Sequence, residues 1–352
     1  HMAVTGQTQQ SGKTTTLESL AHRAGRQVLA FVTKRGEGSF GAAPGHNVHN
    51  VPPYFRERAD WQFVEAVLEA PMRERMKYDR QWIMKISQGA RTLHDVRRNA
   101  SMALDKARGE FMKGTYEKLI AYLDIVVPQM VQIRWAPSIQ LHPCLNVMNL
   151  GEMSSELQGL VIASCLDYVM ENLKDTIVIV PEAWEFLPRG RKSPVTLSGE
   201  SYVRKGAALR NYLWIDSQDL AGVHTPVLKQ TQIFLLGVQR EINEIKRTIN
   251  PLHGPAKPKP DAIARLGLGQ FIACWGSNAT PTYVLPWWMD ETEARAIALD
   301  GLVNIRSARV RPLPPPPTTG SITAIADPMD AQLRDENERL KARTRTLEDE
   351  IV

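Results

Sequence analysis

The sequence predicts an α/β protein: a parallel sheet with flanking helices, carrying a helical insertion and ending in a coiled-coil tail. Three observations predict it. A short apolar strand runs through a Gly/Gln/Ser-rich loop directly into a helix near the start of the chain. Strand-like and helical stretches alternate again from residue 145 onward, and one of them, Thr176-Ile-Val-Ile-Val180, is apolar throughout. Such runs belong to strands covered on both faces, as parallel strands are. Between these two parts lies a long stretch with no strand-like alternation.

The elements follow in order. Ala3-Val4-Thr5 reads as a strand, residues 13 to about 22 as a helix, and Gln27-Val-Leu-Ala-Phe-Val32 as a second strand. This is the β–loop–α–β opening of a nucleotide-binding domain. Residues 33–58 are Gly/Pro-rich and irregular, and 59–130 form the helical insertion, rich in Met, Arg, Lys and Ala. Leu145-Asn-Val-Met-Asn-Leu150 is the next strand, followed by a helix at 154–173 and the strand at 176–180. Further strands fit 212–215 and 232–236, a helix fits 241–249, and 253–260 is a loop. Residues 270–275 and 282–285 read as a closing strand pair, which completes a domain over 3–310. A Pro-rich linker spans 311–326 and contains Pro314-Pro-Pro-Pro317. In 327–352, Leu333, Leu340 and Leu347 recur every seven residues, with Asn337, Thr344 and Ile351 between them. That pattern is a short coiled-coil seam in which Asn337 favours a parallel, low-order pairing. A single amphipathic helix is the alternative.

Composition narrows the partners. The 43% hydrophobic and 23% charged shares are those of a globular protein. No run of 18 apolar residues and no leader pattern occur, so a cytoplasmic location is expected. Cys144, Cys165 and Cys274 stand far apart, without a CxxC pair, and are expected to be reduced, buried and inert. His1-Met2 is expected to carry no function. The net charge is +5, and residues 327–352 hold eight acidic and five basic residues, so residues 1–326 carry +8. A basic body suits a polyanionic partner, and equally an ordinary solvated surface. The basic residues of the insertion (Arg73, Arg75, Lys77, Arg80, Lys85, Arg91, Arg97 and Arg98) spread around their helices rather than forming one stripe. They either contact DNA phosphates or are simply solvated.

The strongest chemical signal is Gly6-Gln-Thr-Gln-Gln-Ser-Gly12-Lys13-Thr14. A loop of small and polar residues opening a helix turns several backbone N–H groups to one point, where the helix dipole also favours negative charge. Gly6, Gln10, Ser11, Gly12, Lys13, Thr14 and Thr15 are therefore expected to bind the phosphates of ATP. Lys13 supplies the charge on the β- and γ-phosphates, and the Thr14 hydroxyl is a ligand of Mg²⁺. Five residues separate the glycines instead of four, so Gln7 stands where a glycine belongs and the loop bulges by one residue.

Beyond this loop the order of motifs resembles the FtsK–HerA superfamily of ATPases over most of residues 3–290, with the insertion set aside. The matching pieces are Val32-Thr-Lys34-Arg-Gly36-Glu37, Asn146-Val-Met-Asn-Leu150-Gly151 and Ile179-Val-Pro181-Glu182-Ala183-Trp184. Arg204-Lys205-Gly206, the strand from Leu213 to Gln218, and Thr225-Pro-Val-Leu-Lys-Gln230 complete the series. The resemblance implies a RecA-like P-loop core in a homo-hexameric ring, with ATP at subunit borders and double-stranded DNA in the pore. The loop starts at residue 6, which leaves no room before it for a HerA-type N-terminal barrel, so either a bare motor or a trimmed N-terminus is expected.

Chemistry and resemblance together suggest roles. Glu182 ends a buried apolar strand and is expected to activate the attacking water; a solvated strand-end glutamate is the alternative. Pro181 replaces the aspartate that normally helps to hold Mg²⁺, leaving Thr14 and water, or Glu182 or Glu185, to do so. Gln218 resembles a polar sensor of the γ-phosphate. Arg204 is the candidate finger from an adjacent subunit, with Arg240 as its rival. The expected function is a DNA translocase, with a nuclease or other protein bound through the coil. An ATP-binding scaffold with slow hydrolysis and a protein-remodelling ATPase are the alternatives.

Overall fold

The computed structural model describes residues 1–7, 11–36, 40, 48–72, 76, 78–252 and 257–300. The Pro-rich linker, the heptads and Gln10 lie outside them. The chain opens with β1 (Met2–Thr5), α1 (Lys13–Arg23), β2 (Gln27–Val32) and a two-residue β3 (His49–Asn50). Four helices follow: α2 (Trp61–Met72), α3 (Arg80–Ser87), α4 (Leu93–Leu104) and α5 (Glu110–Gln132). The alternation resumes with β4 (Leu145–Asn149), α6 (Ser155–Asn172), β5 (Thr176–Val180), α7 (Ala183–Phe186), α8 (Pro194–Lys205) and β6 (Tyr212–Ser217). Then come α9 (Thr225–Gln230), β7 (Ile233–Gly237), α10 (Ile242–Ile249) and α11 (Pro260–Ala264). The hairpin of β8 (Gln270–Trp275) and β9 (Asn278–Tyr283) precedes α12 (Glu291–Asp300).

The strands form one sheet in the order β3-β4-β2-β5-β6-β1-β7-β8-β9. All pairings from β3 to β7 are parallel, and only β7–β8 and β8–β9 are antiparallel. The side-chain period of two explains why its strands read as unbroken apolar text. On β5, Val178 and Val180 enter the core beneath α6 and α8, while Ile177 and Ile179 enter the opposite core with Leu17 and Ala21 of α1. β2 divides likewise, with Leu29 and Phe31 on one face and Val28 and Ala30 on the other. Burying each such side chain is worth about 1.5–3 kcal/mol, which makes both faces decisive.

The insertion has a core of its own, built on Phe63, Val64, Leu68, Ile83, Val96, Tyr116 and Leu119. Its helices run from Trp61 to Gln132, the last of them continuing through Pro128. α6 is apolar nearly all round because it is covered twice. Leu157 and Leu160 join the insertion core, while Val161, Ile162, Cys165 and Val169 join the sheet core. Glu65, fully buried on α2, receives Arg80 at 2.8 Å and Lys192 at 2.6 Å. The second of these bonds ties the insertion to the segment before α8. Of the basic residues that either contact phosphates or are solvated, three are paired inside the insertion: Arg80 with Glu65, Arg97 with Asp124, and Arg98 with Asp95. Arg73, Arg75 and Lys77 lie outside the described residues.

His1 and Met2, expected to carry no role, have structural ones. Met2 starts β1, and the His1 ring accepts the Leu213 N–H at Nδ1 (2.9 Å) and donates from Nε2 to the Val203 carbonyl (3.0 Å). The three cysteines are free, as expected; Cys165 and Cys274 are buried, but Cys144 is only partly so. The closing hairpin sits earlier than its sequence suggests, with its second strand at Asn278–Tyr283 rather than 282–285. Among the described residues, no helix is long and apolar enough to cross a membrane.

Candidate nucleotide site

The site lies at the carboxyl edge of β1, β5 and β6. After β1, Gly6 and Gly12 both take positive φ, +151° and +74°, which side chains rarely adopt. A Cβ on Gly6 would stand 2.6 Å from that of Ser11, so the loop closes on itself only with glycine there. Ser11 is buried and donates its hydroxyl to the Gln7 carbonyl at 2.8 Å, while the Gln7 N–H bonds Val238 O at 2.8 Å. Ser11 O also accepts from Gly269 N at 3.3 Å, seating the loop against the turn before β8. Gly12 caps α1, whose first turn carries Lys13, Thr14 and Thr15.

Lys13 is buried, and its Nζ donates to the Gly6 carbonyl at 2.8 Å. Burial pulls its ammonium below the usual lysine range, the charges of Asp216 and Glu182 oppose that, and Lys34 adds to it. A desolvated cation whose described hydrogen bond is to a carbonyl gains by trading that partner for an anion.

Glu182 follows Pro181 at the end of β5 and takes a left-handed conformation, φ 46° and ψ 51°. That conformation is uncommon for a residue with a side chain. The carboxylate receives Lys34 Nζ at 2.5 Å and Trp184 Nε1 at 2.9 Å. Burial pushes its pKa up, but the Lys34 and Trp184 hydrogen bonds and the charges of Lys34 and Lys13 outweigh that, leaving it below the usual carboxylate range. The backbone N–H of Glu182 donates to Asp216 Oδ1 at 2.6 Å. Asp216 is 7% exposed. Burial raises its pKa to about 6 against the pull of Lys13.

The remaining candidates separate. Gln218 is exposed just past β6, and its carbonyl accepts from Thr5 Oγ1 (3.4 Å) and Gln239 Nε2 (3.1 Å), which pins it beside the loop strand. With Gln7, Trp184, Gln239 and Arg247 it lines a cleft of about 480 Å³. Glu185 accepts the Ser155 hydroxyl at 2.5 Å and lines a different cavity with Ser155 and Arg191. Arg204 is not brought to the site. It ends α8 beside Val203, whose carbonyl meets the His1 ring, so it lies at the amino edge of the sheet, paired with Glu200 at 2.7 Å. Arg240 donates to the Ala264 carbonyl at 3.0 Å. Asp219 caps a turn at Ala221 and holds Arg247 at 2.9 Å.

Sequence reasoning missed three participants: Lys34, Trp184 and Asp216. Asp216 had a readable signal. It ends the buried strand Tyr212-Leu-Trp-Ile-Asp216, the same placement that singled out Glu182.

No protein-family model and no curated protein matches the sequence. Among solved structures, VirB4 of Thermoanaerobacter pseudethanolicus superposes with a TM-score of 0.60 at 12% identity, covering 81% of this chain and 89% of that one. The bacterial conjugative coupling protein TrwBΔN70, in complex with sulphate, does so with a TM-score of 0.52 at 13% identity, covering 81% and 83%. At these identities the likeness is one of fold. That fold is the RecA-like P-loop core found in the FtsK–HerA ATPases, the group that the motif order resembles.

Proposed function

We propose that this chain hydrolyses ATP and uses it to move double-stranded DNA as a homo-hexameric ring, in transfer or packaging. One observation carries the reading: Lys13, Glu182 and Asp216 meet at one buried edge although they lie on α1 and at the ends of two different strands. Structural needs alone give no reason to bury one cation and two carboxylates where a loop also offers its backbone amides.

In this reading Gly6, Gln10, Ser11, Gly12 and Thr15 shape the loop that holds the phosphates, and Lys13 leaves the Gly6 carbonyl for the β- and γ-oxygens. The half-buried Thr14 hydroxyl in the first turn of α1 suits Mg²⁺, whose chemistry here is to neutralise charge on the phosphates. Glu182, held ionised below its usual range, orients the water and takes its proton. Gln218 faces the γ-phosphate side of the cleft. Arg204, at the far edge of the sheet, serves only as a group offered to a neighbouring subunit. A nuclease or another protein docks on the heptads of the tail.

The Lys34 contact favours a second reading. An ammonium at 2.5 Å occupies the oxygen that a catalytic base presents to water, so the resting subunit is a slow switch until Lys34 moves. Tight ATP binding without turnover, with or without DNA, distinguishes this scaffold from the motor. The ring is tested by sedimentation with a non-hydrolysable ATP analogue: a mass of six chains is expected, and a monomer under all conditions contradicts it.

A further inference from the structure

We infer that Asp216 holds the divalent cation of the nucleotide complex, doing from β6 the work that Pro181 cannot do from β5. The inference rests on the ATPase reading above. Val180 of β5 pairs with Ile215 of β6, so position 181 lies level with Asp216 in the adjacent strand. Asp216 in turn pairs with Val4 of β1, two residues before Gly6. A carboxylate at 216 therefore sits one strand, about 4.8 Å, nearer the phosphate loop than a carboxylate at 181.

Three other acidic side chains near this edge, among the described residues, are engaged. Both Glu182 oxygens are taken, by Lys34 and by Trp184. Asp219 is used by the Ala221 N–H and by Arg247, and Glu185 turns to Ser155. Asp216 has a single hydrogen bond among the described residues, from Glu182 N to Oδ1, and no ion pair within 4.0 Å. Its Oδ2 remains for a ligand, next to the buried Lys13 and the first turn of α1. Mg²⁺ takes oxygen ligands and keeps several waters, so one carboxylate with the Thr14 hydroxyl and the phosphates forms a sufficient protein share. The Glu182 N–H on Oδ1 fixes the carboxylate orientation, as outer contacts do for metal ligands, and couples the ion's position to the base.

The test uses ATPγS with Mn²⁺ as the probe ion. Affinity for ATPγS is measured first in EDTA, and Mn²⁺ affinity of the ATPγS complex then by electron paramagnetic resonance. Asp216→Asn keeps the acceptor for Glu182 N and, with a carboxylate removed from beside the phosphates, should bind metal-free ATPγS no more weakly than wild type. Its Mn²⁺ affinity should fall about tenfold or more, and adding Pro181→Asp should restore part of it. Wild-type Mn²⁺ affinity in Asp216→Asn overturns the assignment. If that variant also loses metal-free ATPγS binding, its fold has suffered, and the wild type decides. With Fe²⁺ in place of Mg²⁺, hydroxyl-radical cleavage should cut beside residues 14 and 216; cutting at 14 without 216 overturns the assignment. Wild type that binds no ATPγS at all overturns the ATPase reading instead, and the metal site with it.

Discussion

Lys13→Ala abolishes useful ATP binding, raising the dissociation constant by on the order of 100-fold, the ~3 kcal/mol of a charge-assisted bond in a desolvated site. The size of the effect follows from where the ammonium sits. Lys13 is buried, with Asp216 and Glu182 as its nearby charges and the Gly6 carbonyl as its hydrogen-bond partner. On the proposed reading it is the cation that the loop and helix present to the phosphates, and Lys34 is bonded to Glu182. The variant should also fold, because truncation removes a buried charge rather than an apolar contact. Equilibrium binding of a fluorescent ATP analogue measures the loss. Affinity within threefold of wild type, in a variant of unchanged melting temperature, would refute the loop assignment.

The second large effect belongs to Glu182. Glu182→Gln preserves the side-chain size and an oxygen for Trp184, but removes the base and weakens the tie to Lys34. Hydrolysis should fall about 10²–10⁴-fold, the usual contribution of a positioned base, while ATP still binds. A purely structural role would lower ATP affinity and the melting temperature together. Single-turnover hydrolysis beside equilibrium binding separates the two outcomes, and turnover within tenfold of wild type would remove Glu182 from the base's role.

Much of the fold was legible because buried parallel strands leave no alternation to misread, as in Thr176–Val180. The insertion was legible from its length and from the absence of period-two text. α8 was not. Its sequence, Pro-Val-Thr-Leu-Ser-Gly-Glu-Ser-Tyr-Val-Arg-Lys, has weak intrinsic helix preference. Tertiary packing makes it a helix: Ser193 caps it through Thr196 N at 3.0 Å, and Val195, Tyr202 and Val203 are buried in the sheet core. A Cβ at Gly199 would stand 2.9 Å from Leu187 Cδ2, so a larger residue there would make that leucine shift. β9 was displaced in the reading because an exposed, polar edge strand containing Pro281 carries no hydrophobic pattern. β3 is two residues paired on one side, too short to leave a signal.

At the site, the loop and Glu182 were readable because each puts an expensive residue in a telling place. The partnership of Lys34 with Glu182 joins residues 148 apart, and no spacing rule reaches that far. The place of Arg204 was not legible either. A motif position suggests a finger for a neighbouring subunit, but it does not say that the direction of α8 carries the residue to the amino edge of the sheet, away from its own subunit's phosphate loop.

The most direct measurement is the steady-state rate of ATP hydrolysis with and without linear duplex DNA at moderate salt. A motor whose base is restrained by Lys34 should turn over slowly alone and about tenfold or more faster on duplex, with the stimulation fading as salt screens the phosphate contacts. A rate that is measurable but indifferent to duplex DNA at every salt concentration would contradict the account.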